Sequence, residues 1–308
     1  MQDGVRIPGI LVVRPGALGD TILSVPLVRT IQRLFPGSLT FLGNRSHKLV
    51  LPSEVAFQPL DHPDWLWLFQ DEVPATSGPT PRFGRAYVVL ERPEPIVSNL
   101  ARTGTGQCFT VGSRPPAGIH VVEHLHQRLA LPVPPRQPAL RHLMSSRAKE
   151  IIWVHPGSGS PKKCVPVAFI SALARGLQER LGWDVAITAG EEDGFLKEDP
   201  VWNSLVMGPR THLLERQSLH QVCTVLGGAS LYIGNDSGIS HLAAGLGVPC
   251  VIFFVTTDPR QWAPWAPRSQ VIPVKVRDGN LDVARWVERV FRWLSWGWLS
   301  QPGDLVRS

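Results

Sequence analysis

Short apolar runs alternate along this chain with glycine-containing loops and stretches of helical periodicity. Gly9-Ile10-Leu11-Val12-Val13 is the first such run, and it ends in Arg14-Pro15-Gly16-Ala17-Leu18-Gly19-Asp20. A continuous apolar run bounded by turn residues predicts a buried parallel strand feeding a glycine loop. Residues 21–34 carry Ile22, Val25, Val28 and Ile31 at helical spacing, and Phe35-Pro36-Gly37 stops the pattern. Pro26 is tolerable in the first turns of that helix and costs about 3 kcal/mol deeper in. Residues 39–42 read as the next strand, which completes a β-α-β unit at the start of the chain.

Farther along, residues 87–90 predict a strand and 121–131 a helix, while the Pro/Gly-rich stretches 74–84 and 92–95 read only as loop. Four of the seven residues 132–138 are proline, which favours an extended, stiff connection. A second alternating series follows. Strands are predicted at 151–154, 184–188, 231–233 and 250–255, and helices at 167–181, 217–226 and 237–246. This alternation predicts an α/β chain with a doubly wound parallel sheet in each half. The expected architecture is two Rossmann-like domains, residues 1–146 and 147–281, facing a central cleft. A ligand should lie off the carboxyl ends of the strands.

Residues 282–294 predict a helix of a different kind. Val283, Trp286, Val287, Val290 and Leu294 share one face, and Arg285, Glu288, Arg289 and Arg292 the other. Trp293, Trp296 and Trp298 extend the apolar side. Residues 282–308 read either as a closing element packed on the body of the protein, the N-terminal domain included, or as a Trp/Arg surface touching a membrane.

Composition narrows the classes. Of the 308 residues 43% are hydrophobic and 18% charged, which supports a packed core and argues against disorder or a coiled coil. No apolar run approaches the ~20 residues needed to cross a bilayer. No export signal is visible near Met1, so a cytoplasmic location is expected. The formal net charge of +6 suits an anionic partner, but no Lys/Arg run of nucleic-acid type occurs, and no nucleic acid is expected. Cys108, Cys164, Cys223 and Cys250 lie far apart with no Cys-x-x-Cys pair, so neither a metal cage nor a disulfide framework is expected.

Three glycine-containing loops sit between predicted strands and helices: Gly16-Ala17-Leu18-Gly19, Gly157-Ser158-Gly159 and Asn235-Asp236-Ser237-Gly238. Such loops let backbone N–H groups approach an anion, with a helix dipole behind them. None is a P-loop or a dinucleotide fingerprint. Lys162-Lys163 after the second loop points to phosphate binding in the second half. Asp20 reads either as a helix-capping carboxylate or as a base at a cleft floor. Asp236 could hold ligand hydroxyls or fix a lysine. His241, in the predicted helix behind it, could donate to a ligand oxygen or satisfy a local hydrogen bond.

Arg14 through Asp20 with Pro26, His155-Pro156-Gly157-Ser158-Gly159-Ser160 with Lys163 and Pro166, Gly234 through Ala244, and Thr257-Asp258-Pro259 together resemble glycosyltransferase family 9. That family comprises the ADP-heptose:lipopolysaccharide heptosyltransferases. The resemblance implies a GT-B fold, with an acceptor-binding N-terminal domain and a nucleotide-sugar-binding C-terminal domain. It also implies inverting, metal-independent transfer of heptose from ADP-heptose to an inner-core lipopolysaccharide hydroxyl. By position, Asp20 matches the family's general base and Lys163 its donor-phosphate lysine. Ser158 and Gly159 match the phosphate-side loop, and Asp236, Ser237, Gly238 and His241 the donor-binding helix start. Gln217 is grouped with the donor residues, and Glu191 or Glu192 is the candidate for the ribose hydroxyls. Gly19, Arg45, Lys48 and Arg92 form the candidate acceptor side, with surface solvation the other reading of the three cationic residues. No cofactor is implied, because the nucleotide sugar is itself a substrate. The implied partners are that donor and an anionic glycolipid, with peripheral contact at the inner membrane. Two positions depart from the family pattern: Val255-Thr256 stands where Gly-Pro is usual, and Val165 replaces an aromatic.

In chemical terms the implied reaction is a single displacement. A carboxylate accepts the proton of the attacking hydroxyl, and Lys163 with backbone donors meets the charge of the leaving diphosphate. Domain closure is expected to assemble these parts. Rival readings are a related transferase using another nucleotide sugar, a sugar-nucleotide epimerase that needs no acceptor, and a non-catalytic nucleotide-sugar-binding protein.

Overall fold

A computed structural model of the chain describes residues 9–71, 82–140, 143, 149–267, 270–277 and 281–297. The chain divides into two compact units, Met1–Pro135 and Arg136–Ser308. The division falls inside the proline-rich segment, ahead of position 146, where the sequence pattern ends the first domain. Residues just past it already belong to the second unit. The Leu140 N–H donates to the Gly245 carbonyl over 2.7 Å, and the Arg136 guanidinium lies 4.1 Å from the Trp265 ring centre.

The first unit carries a five-stranded parallel sheet with β1 (Gly9–Val13) at its centre. β2 (Leu39–Gly43) and β3 (Ala56–Pro59) lie on one side, β4 (Phe83–Val89) and β5 (Gln107–Val111) on the other. Leu11 pairs with Thr40 on one flank and Ala86 on the other. A central parallel strand has no solvated face, and Ile10, Leu11, Val12 and Val13 are accordingly buried. α1 (Leu18–Leu34) packs with α3 (Val121–Arg128), and α2 (Ile96–Arg102) leads into β5. α1 starts at Leu18, earlier than its apolar pattern indicates, because Asp20 in the first turn accepts the N–H of Ala17, the capping residue. Pro26 therefore lies deeper in the helix than its first turns.

The second unit carries a six-stranded parallel sheet in the order β11-β10-β9-β6-β7-β8. These are β6 (Lys149–His155), β7 (Asp184–Ala189), β8 (Thr211–Glu215), β9 (Ala229–Asn235), β10 (Cys250–Phe254) and β11 (Val271–Lys275). The helices are α4 (Val167–Leu181), α5 (Trp202–Val206), α6 (Leu219–Leu226), α7 (Gly238–Leu246), α8 (Pro259–Trp262) and α9 (Val283–Gly297). Counted from β6 as the first strand, this is the doubly wound order in which the chain reverses direction between strands one and four. The reversal falls between β6 and β9, which opens a crevice at their carboxyl ends.

The four strands that the hydrophobic pattern does not announce are β3, β5, β8 and β11, and all four are sheet edges. An edge strand pairs on one side only, so polar residues and even Pro273 within β11 are compatible with it. Phe83 and Gly84, in a stretch that reads as loop, open β4; residues 74–81 of that stretch lie outside the described residues.

α9 closes the second unit. It packs on α4, and Trp286, Val290, Trp293 and Leu294 are buried. Trp286 meets Phe253 of β10 edge-on at 5.6 Å, and Phe253 meets Phe169 of α4 the same way at 5.3 Å. Gly176 lets Val287 approach, since a Cβ there would stand 2.7 Å from a Val287 methyl. The sequence offers this apolar face to the body of the protein, the N-terminal domain included, or to a membrane. In the fold, Trp286 and Trp293 are enclosed within the second unit; Trp298 lies outside the described residues.

Candidate active site

In the second unit the candidate residues converge at the strand reversal. β6 ends at His155 and runs into the Gly157-Ser158-Gly159 loop, and β9 ends at Asn235 immediately before Asp236. Ser158 is buried and its hydroxyl donates to the Asp236 carbonyl over 2.7 Å. Asn235, fully buried, ties three segments together. Its carbonyl oxygen accepts from the Val165 N–H at 3.0 Å, and its amide donates to the Pro156 carbonyl at 2.7 Å. The glycine loop and the lysine segment are therefore fixed to the end of β9 by one side chain.

Asp236 fixes a lysine. The Lys163 ammonium donates to Asp236 Oδ2 at 3.2 Å, with the lysine 37% and the aspartate 7% exposed. The same oxygen accepts from the Thr257 hydroxyl at 2.7 Å. His241 Nε2 stands 3.9 Å from Asp236 Oδ1, beyond hydrogen-bond distance. Ser237 caps α7, accepting from the Ser240 N–H, and Gly238 is the first residue of that helix. A helix N-terminus carries unpaired N–H groups and a partial positive charge. A half-exposed ammonium beside it makes this crevice electrostatically suited to a diphosphate. Gly159 is exposed, and a Cβ on it would meet nothing within 4 Å.

One buried carboxylate here is absent from the sequence-derived candidates. Asp193 is 4% exposed, accepts from the Gly190 N–H at 2.7 Å and stands 3.8 Å from His155 Nε2. A Cβ built on Gly157 would overlap its carboxylate, so glycine is required there by close approach. His155 Nδ1 lies 3.1 Å from the Thr188 carbonyl. Burial pushes the His155 imidazole below the ordinary histidine range, against the opposing pull of Asp193 and the Thr188 carbonyl. The signal in the sequence was the position of Asp193, three residues after Gly190, where a side chain can cap a turn. Glu192 is exposed in that turn, and the side chain of Glu191 is not among those described. Gln217 is also exposed, its amide donating to the Glu215 carbonyl at 3.1 Å. Neither Glu192 nor Gln217 is joined to the Lys163–Asp236 cluster by a described contact.

In the first unit, Asp20 stands at the carboxyl end of the central strand. Its Oδ1 accepts from Arg14 Nη2 at 2.7 Å and its Oδ2 from the Ala17 N–H at 3.0 Å. It caps the helix from within the first turn and also faces solvent, being 32% exposed. Arg14 is 4% exposed, and burial lowers its affinity for a proton, countered by Asp20 and Glu91. Gly16 makes room for this pair, since a Cβ there would come within 2.8 Å of Asp20 Oδ2. Gly19 is buried beside it. His47, another residue the sequence did not single out, bonds the Thr21 hydroxyl through Nδ1 at 2.9 Å. Arg45 pairs with Asp61 at 3.3 Å on the surface, and Lys48 and Arg92 are exposed. All three follow carboxyl ends of strands. Among the described residues no group of three or more His, Cys, Asp or Glu side chains is arranged to hold a metal ion. No described helix is long and apolar enough to cross a membrane.

Comparison with known proteins supplies the context. A sequence profile of glycosyltransferase family 9 (heptosyltransferase) matches residues 122–280. Lipopolysaccharide heptosyltransferase 3 of Escherichia coli is 28% identical over 116 residues, which cover 37% of this chain and 34% of that protein. The match thus spans about a third of that relative's length. A glycosyltransferase family 9 structure from Veillonella parvula superposes with a TM-score of 0.71 at 15% identity, covering 94% of this chain and 97% of its own. The E. coli heptosyltransferase WaaC, solved with ADP, gives 0.68 at 17% identity, covering 93% and 99%. The two Rossmann-like units are thereby those of the GT-B fold. With its profile match spanning more than half the chain, and with the strand order and glycine loops in place, this chain belongs to glycosyltransferase family 9, the heptosyltransferase family.

Proposed function

We propose that the protein transfers a heptosyl group from ADP-heptose to a hydroxyl of a lipopolysaccharide inner-core acceptor, with inversion at the anomeric carbon. The observation that carries this reading is Lys163 held by Asp236 at the β6/β9 reversal, beside the start of α7. That is a cradle for a diphosphate. Asp20, partly solvated and oriented by Arg14, supplies the base. In the step itself the acceptor oxygen forms a bond to the anomeric carbon as the bond to the diphosphate oxygen breaks. The acceptor proton passes to Asp20, and ADP leaves with the electron pair. Lys163 and the N–H groups of α7 meet the charge that develops on the leaving oxygen, without reorganising during the reaction.

An inner-core acceptor is anionic, and Arg45, Lys48 and Arg92 are its proposed contacts. Arg45 would exchange Asp61 for the acceptor at small cost, because an ion pair this exposed contributes little. A lipid-linked acceptor would place the work of the enzyme at the cytoplasmic face of a membrane.

The test is calorimetry of wild-type protein with ADP, UDP and GDP, followed by product analysis with ADP-heptose and a core acceptor. ADP should bind best, and Lys163→Ala should weaken it by about tenfold or more, as expected for a hydrogen bond to a charged group. Transfer should survive exhaustive chelation. Conversion of the donor without any acceptor would replace this reading with that of an epimerase, and indifference of ADP binding to Lys163→Ala would remove the cradle.

A further inference from the structure

We infer that Thr257, pinned by Lys275, is a positioning residue that lets Lys163 leave Asp236 for the donor phosphates. The inference rests on the donor role proposed above for Lys163. Asp236 is almost fully buried, and its Oδ2 has two donors, Lys163 Nζ at 3.2 Å and Thr257 Oγ1 at 2.7 Å. Its other oxygen faces His241 Nε2 at 3.9 Å. When Lys163 turns toward a diphosphate, Asp236 loses its ionic partner. A buried carboxylate stripped of partners is costly, and that cost would be taken from donor binding. The Thr257 hydroxyl stays behind and keeps the carboxylate hydrogen-bonded, so the lysine is released more cheaply.

Thr257 can do this only if its loop does not follow the lysine. Lys275, at the end of the edge strand β11, provides the anchor. Its ammonium donates to the Val255 carbonyl at 2.8 Å and to the Thr257 carbonyl at 2.9 Å, gripping the loop on both sides of Thr256. β11 is in turn registered on β10, with Lys275 opposite Phe254. The chain of support runs from strand pairing through Lys275 and Thr257 to Asp236, and none of these side chains need touch the donor. Val255-Thr256, the place where the sequence departs from the pattern it otherwise resembles, begins at one of the two carbonyls that Lys275 holds.

The test is a double-mutant cycle on ADP affinity by calorimetry, with thermal unfolding in parallel. Thr257→Val, close in shape, should weaken ADP about tenfold, and Thr257→Ser should bind as wild type does because it keeps the hydroxyl. In a Lys163→Ala background, Thr257→Val should have almost no further effect, since no lysine remains to be released. Steady-state kinetics of Thr257→Val should show the loss mainly in the KM for the donor. Lys275→Met should weaken ADP in the same direction. An equal loss from Thr257→Val in both backgrounds, or no loss in wild type, overturns the inference. Unaltered ADP binding by Lys275→Met removes the anchor. Failure of the donor reading would show separately, as Lys163→Ala binding ADP normally.

Discussion

Arg14 donates to Asp20 across 2.7 Å from a side chain that is only 4% exposed, while Asp20 itself is about one-third open to solvent. The pair couples a candidate catalytic group to the integrity of the first unit. Asp20→Ala should lower transfer by about 10²–10⁴-fold, the usual contribution of a positioned base, and leave ADP affinity unchanged. It should also lower the Tm, because Arg14 is left in the core without its counter-charge. Asp20→Asn keeps an acceptor for the Ala17 N–H, so it should be as inactive but closer to wild type in Tm. Turnover, calorimetry and thermal unfolding of the two variants separate these effects; an active Asp20→Asn would exclude the base.

Gly157 and Asp193 should behave as a coupled pair. Because a Cβ on Gly157 overlaps the Asp193 carboxylate, Gly157→Ala must displace a buried charge or move the loop. A lower Tm and weaker ADP binding are expected, and adding Asp193→Ala should recover part of the Tm. Additive losses in the unfolding temperatures would show that the two positions do not compete for space.

Trp286 should act as a closing residue of the second unit. Trp286→Ala removes a 4%-exposed ring that stacks edge-on against Phe253, a change that costs about 3–5 kcal/mol in comparable cores. Denaturant unfolding should show it, whereas Arg285→Ala on the exposed side of α9 should fall within about 0.5 kcal/mol of wild type. Equal effects of the two would contradict the packing of this helix.

His126 should make the first unit sensitive to acid. It is fully buried between α3 and α1, with Nδ1 2.7 Å from the Val122 carbonyl and Nε2 3.2 Å from the Thr30 hydroxyl. Burial pushes its imidazole below the ordinary value of 6.5, against the Val122 and Pro26 carbonyls. The unfolded chain therefore binds a proton more readily than the folded one. Stability from this group is complete above about pH 6.5 and is lost as pH falls through that value toward the folded one. His47, lowered chiefly by burial, acts in the same direction. The Tm should fall from pH 7 to pH 5, and His126→Gln should flatten that slope even if it lowers the Tm throughout. An unchanged slope would argue against a neutral buried ring.

Much of the fold was legible because central parallel strands must be apolar on both faces. β1, β6, β9 and β10 announce themselves for that reason, and helical periodicity announces α1, α3, α4, α6 and α7. Edge strands β3, β5, β8 and β11 do not, because half of each is solvated and tolerates Gln, His or Pro. The three glycine loops at 16–19, 157–159 and 235–238 were equally visible, since a strand that must turn at once into a helix writes glycine and a capping residue into its sequence; the turn that carries Asp193 was not.

The two alternating halves, the glycine loops and the residue types able to serve as base and diphosphate ligand are all readable from the linear chain. The folded chain alone settles which groups share an oxygen. It joined Lys163 to Asp236 and Thr257, Arg14 to Asp20, and Asp193 to Gly157, and it enclosed Trp286 and Trp293 within the second unit. Local pattern reports how much of a residue is buried and with what period. Partnership between side chains far apart in sequence depends on strand order and register, which no local pattern contains.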